Sequence, residues 1–113
     1  MRDGQKEGTG SQQSITRMRL FAVILQRGAA WQASAPLEGQ PEWEAHRSFM
    51  TTLEEERFVV LGGPLEATSE VLLIFRAASP EEIASRLSTD PWHKMDLLRI
   101  SRIMPWNLRI GLL

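Results

Sequence analysis

The sequence contains no cysteine and no tyrosine. Without thiols, zinc ribbons, iron–sulfur clusters and disulfide scaffolds are excluded. Lysine is nearly missing too, with Lys6 and Lys94 forming no patch, and 13 basic against 14 acidic side chains leave a net charge of −1. Nucleic-acid binding rests on clustered cations that neutralise phosphates, so no nucleic-acid partner is expected. No apolar run approaches the roughly 20 residues needed to cross a bilayer, and the N-terminus is polar where an export signal needs an apolar segment. The expectation is a cytoplasmic protein with no membrane partner. Its two histidines lie far apart and make no HExxH-like pair, so no metal site is expected. No serine sits in a GxSxG-type nucleophile motif.

What remains is 113 residues, 42% of them hydrophobic, enough for one small domain with its own core. Residues 1–17 (MRDGQKEGTGSQQSITR) carry too little apolar surface to repay the entropy of ordering them and read as a disordered tail. The domain is expected over residues 18–113.

Residues 20–25 (LFAVIL) are all apolar, as in a strand covered on both faces. A long loop with one bulky anchor, Trp31, follows, and loops of that length are commonly functional or mobile. Pro41, with Glu42 and Glu44 in the first turn, predicts a helix running to about Arg57. At about 100° per residue, Trp43, Phe49, Met50 and Leu53 share an apolar arc centred on His46, while Glu44, Arg47, Ser48, Thr51 and Glu55 fall on the other side. The run FVVLGGPLE reads as a strand broken at Gly62, Gly63 and Pro64, and VLLIFRA (71–77) as its hairpin partner. Ser79, Pro80 and Glu82 spell a capping box that opens a second helix, which must stop before Pro91. A short turn through DPWHK leads to a final strand, LLRISRI.

The order strand, helix, strand, strand, helix, strand predicts an α+β fold, a ferredoxin-like βαββαβ sandwich with a four-stranded antiparallel sheet. Two helices cover one face of such a sheet, yet the first and third strands are apolar on both faces. The open face is therefore expected to meet a second copy, giving a homodimer across a cavity.

The segments LFAVILQRG, WEAHRSFM, FVVLGGPL, VLLIF, STDPW and LLRISRIMPWN resemble, in order and spacing, the YCII-related (YciI-like) family of the dimeric α/β-barrel superfamily. The resemblance spans about residues 18–110. It implies a ferredoxin-like dimer and an active site built from a helix histidine and an aspartate before proline, here His46 and Asp90. Some members resemble enzymes that dehydrochlorinate or isomerise hydroxylated ring compounds without a cofactor. The N-terminal extension and the PWN ending depart from the family pattern.

Each candidate residue also has a plainer reading. Histidine gains and loses a proton near neutral pH and so suits general acid–base work, but one on an apolar helix face also serves as a core residue bonded to a backbone carbonyl. Asp90 before Pro91 is equally an N-cap for the following turn, and a carboxylate at the end of the preceding helix would face its unfavourable dipole end. Gly62, Gly63 and Pro64 could bring backbone amides to a ligand or simply kink a strand. Of the four tryptophans, Trp31 and Trp92 are placed beside a small-molecule ligand, whereas Trp43 and Trp106 are expected to fill the core. His93 is expected to face solvent. Arg99, Arg102 and Arg109 make the last segment basic, either to hold an anionic group or to deter strand-edge association. Two functions emerge: a cofactor-independent enzyme moving a proton on a small hydroxylated or carbonyl-bearing ring, for elimination or isomerisation, or a non-catalytic dimeric module that binds a small molecule.

Overall fold

The computed structural model describes residues 18–113; the tail expected over residues 1–17 lies outside the described residues. The elements are β1 (Arg19–Arg27), a single 3-10 turn (Leu37–Gly39), α1 (Trp43–Glu55), β2 (Val59–Pro64), β3 (Glu70–Ala77), α2 (Pro80–Leu87), the short α3 (Pro91–Lys94) and β4 (Leu98–Trp106). The strands form one sheet in the order β2-β3-β1-β4, and every pairing is antiparallel. This is the expected α+β arrangement of the ferredoxin-like type.

Strand alternation sorts the side chains. Phe21, Val23 and Leu25 of β1 face the helices and join Leu73, Phe75, Leu53, Ile83 and Leu87 in one core cluster. The alternate residues point away. Ile24 and Ile74 stand outside that cluster although both are buried, and in the β1–β3 ladder they pair with Leu72 and Ala22 respectively. Around them Leu20, Ala22, Leu72 and Met104 are half-buried, while Leu61 and Trp106 are exposed. The second face of the sheet is thus apolar, as the uniform hydrophobicity of β1 and β3 predicts. Trp106, expected in the core, instead stands on this face with 38% of its surface exposed. Its pairing with Leu20 explains why: a register shift between Ile24 and Leu25 sets which β4 residues face inward.

Helix α1 starts later than Pro41 predicts. Glu42 adopts left-handed geometry (φ 57°) and caps the helix without a side-chain bond. The Pro41 carbonyl is engaged elsewhere, accepting the indole N–H of Trp92 at 2.7 Å. Helix α2 begins as its capping box requires: Ser79 Oγ accepts the Glu82 amide at 3.2 Å and Glu82 reaches back to the Ala78 amide at 2.8 Å.

Candidate active site

The last turn of α2 is closed by Ser88, and Thr89 and Asp90 follow in a turn in which the Asp90 amide donates to the Leu87 carbonyl. Asp90 therefore lies beyond the α2 dipole end, and the dipole penalty expected from sequence does not arise. It caps α3 instead: its Oδ1 accepts the Trp92 amide at 3.0 Å. The same carboxylate receives His46 Nδ1, at 3.0 Å for Oδ1 and 2.9 Å for Oδ2. Both residues are buried. The cap reading and the partner reading of Asp90 thus describe one side chain doing both, while His46 finds the carboxylate rather than a backbone carbonyl. A carboxylate only accepts, so Nδ1 carries the hydrogen, and in the neutral ring the lone pair lies on Nε2. Nδ1 and Nε2 point to opposite sides of the ring. His46 lines a cavity of about 490 Å³, and among the described residues nothing in the protein bonds to Nε2.

Aromatic packing fixes the ring as firmly as the carboxylate does. The imidazole stacks on the Trp92 indole, with centroids 3.8 Å apart and planes 4° from parallel. Trp92 is 0% exposed and touches Trp31 edge-on at 5.5 Å and Trp43 at 5.8 Å. Three of the four tryptophans thus gather about one histidine. Trp92 sits mainly behind His46 as its backing, whereas the half-buried Trp31 and Trp43 contribute more open walls.

Trp31 reaches the cavity because its long loop is tied at both ends. At the near end, the Gly28 amide donates to the Leu97 carbonyl and the Ala30 amide to the Asp96 carbonyl. A Cβ on Gly28 would press onto that Asp96 oxygen, so glycine is required there. At the far end the buried Gln40 accepts the Gln32 amide at 2.9 Å and donates to the carbonyls of Gln32 and Ala35 at 2.8 and 3.1 Å. Nothing in a polar loop sequence distinguishes this glutamine from its neighbours, and sequence reasoning missed it.

Gly62, Gly63 and Pro64 line the opposite wall with Leu25, Val59, Val71 and Leu73. Gly62 is sterically required, since a Cβ would collide with the Leu73 side chain and approach the Leu72 carbonyl; Gly63 faces open space. Arg47 and Thr51, assigned to the solvent side of α1, stand on the cavity wall, together with Arg27 and Glu54. Of the basic C-terminal residues, Arg99 pairs with Asp96 at 2.7 and 2.8 Å, and none lines this cavity. Asp96 is held below the usual carboxylate range mainly by that guanidinium, against the opposing effect of desolvation, with further help from the Ala29 amide. His93 is exposed, as expected. Among the described residues no group of three or more potential metal ligands occurs, and no helix is long and apolar enough to cross a membrane.

No family model matches the chain, and no curated protein does. Among solved structures it is similar to 5-chloro-2-hydroxyhydroquinone dehydrochlorinase from Burkholderia phenoliruptrix AC1100, determined with 2,5-dihydroxybenzoquinone. The sequences are 20% identical over 81% of this chain and 95% of that one, with a TM-score of 0.48.

Proposed function

We propose that the cavity is the active site of a cofactor-independent enzyme that moves a proton on a small hydroxylated or carbonyl-bearing ring. The observation that carries this reading is the buried contact of 2.9 Å between His46 Nδ1 and Asp90, which leaves Nε2 as the basic atom of a residue lining the cavity. A histidine needed only for packing has no call for a buried carboxylate, whose removal from water is costly unless its bonds repay it.

The chemistry follows from that tautomer. Nε2 takes a proton from a ring hydroxyl or from a carbon beside a carbonyl. Asp90 accepts the Nδ1 hydrogen throughout and balances the imidazolium that forms. From a carbon acid, the C–H electron pair becomes a new double bond. Either a leaving group departs with its own bonding pair, which is elimination, or the imidazolium returns its proton at another ring atom, which is isomerisation. Two copies are proposed to stack through the uncovered apolar sheet faces.

The test is a turnover screen with halogenated or hydroxylated quinols and enolisable cyclic ketones. For any compound consumed, His46→Ala and Asp90→Asn are expected to lower kcat/KM by about 100-fold to 10,000-fold while the proteins stay folded. Wild-type rates in both variants defeat the proposal.

A further inference from the structure

Besides His46, the charged side chains on the cavity wall are Arg27, Arg47 and Glu54. They are not equivalent. Arg47 and Glu54 project from α1 about two turns apart and, like Arg27, are exposed; the Arg47 guanidinium leans toward Glu44, at 3.5 Å. Arg27 is posed. It ends β1 with its guanidinium carbon 4.5 Å from the Trp31 ring centroid, and Trp31 in turn abuts Trp92, on which the imidazole rests. Cation–π attraction holds such a group in place, and its remaining N–H donors suit the two oxygens of a planar carboxylate. None of the described residues offers it a carboxylate in an ion pair.

Resting on the reading of this cavity as a ligand site, we infer that its ligand is a flat ring bearing one carboxylate, with the ring between the tryptophan walls beside His46 and the carboxylate on Arg27. Glu54 sets the charge. Two cations and one anion on the wall suit a monoanion, whereas a phosphate ester, with about −1.5 to −2 charge, would be repelled by Glu54. The cations implied by sequence, Arg99, Arg102 and Arg109, lie elsewhere, so the anion subsite comes from the end of β1.

The experiment is equilibrium titration of the full chain with 4-hydroxybenzoate, its methyl ester and phenyl phosphate, followed by tryptophan fluorescence and by the His46 imidazole resonances. The acid is expected to bind about tenfold more tightly than the ester, as a charge-assisted bond to guanidinium gives. Arg27→Gln should bring the acid down to the level of the ester without changing the ester, while Arg102→Gln, outside the cavity, should preserve the preference. Equal binding of acid and ester, tighter binding of phenyl phosphate, or a preference that survives Arg27→Gln overturns the carboxylate subsite and leaves ring binding in place. If none of the three compounds binds, or binding leaves the His46 resonances unmoved, the ligand-site reading falls along with the subsite.

Discussion

Asp90 carries two duties that substitutions can separate. Asparagine caps a helix about as well as aspartate and keeps one carbonyl oxygen for the His46 Nδ1 hydrogen. Asp90→Asn should therefore cost under about 1.5 kcal/mol of stability while removing the charge that fixes the tautomer. Asp90→Ala loses the cap and leaves a buried imidazole N–H without a partner, for about 2 to 4 kcal/mol in all. Urea denaturation of both variants separates the two effects, and similar losses would show that the cap contributes nothing. In the wild type, nitrogen-15 shifts of the imidazole should report hydrogen on Nδ1. His46 was legible in the sequence because it sits amid an apolar helix stripe, and Asp90 because it precedes a proline. Their contact was not, since it depends on a turn of three residues placing the carboxylate under a helix 44 positions earlier. Arg47 and Thr51 are exposed as the helical wheel predicts, and their place on the cavity wall was not legible because a wheel separates faces by hydropathy, whereas a cavity mouth is polar at its rim.

At the level of elements, the expected strands and both main helices form, since alternation and capping are local signals. The long loop is another matter. Its order comes from Gln40 and from contacts with the turn between α3 and β4, both set by tertiary structure. Gln40→Ala should leave the Gln32 amide and the Ala35 carbonyl without partners, lower stability by about 1 to 3 kcal/mol and speed amide exchange over residues 28–40. Unchanged exchange there would show that the loop holds itself. The second anchor responds to pH. The Asp96 carboxyl is held below the usual carboxylate range in the folded protein, chiefly by the Arg99 guanidinium, so its contribution is present above that range and disappears as pH falls through the lower folded value. Asp96→Asn should accordingly be less stable than wild type at neutral pH and approach it in acid, once the Asp96 carboxyl is protonated. Chemical denaturation at both pH values checks this, and a difference that persists in acid would mean that the ion pair is not its source.

For the molecule as a whole, helices cover one side of the sheet, and the half-buried Leu20 and Leu72 with the exposed Leu61 and Trp106 on the other support the proposed pairing of two copies. Leu72→Glu places a charge on that face beside Ile24 in the β1–β3 pairing. The wild-type protein is expected to sediment as a dimer at micromolar concentration and the variant as a monomer; a monomeric wild type, or a dimeric variant, removes the proposed pairing. The apolar face was legible because β1 and β3 have no polar alternation, but what covers it is not written in one chain.

The anchoring of the Trp92 backbone amide on Asp90 Oδ1 has a consequence for how the site can be watched. Whenever α3 frays, that amide becomes free to trade its hydrogen for deuterium, and the carboxylate it leaves is the one that holds the imidazole. The protection factor of a single peptide hydrogen therefore reports, in resting protein and without any substrate, how often the Asp90 cap beside the His46 contact opens.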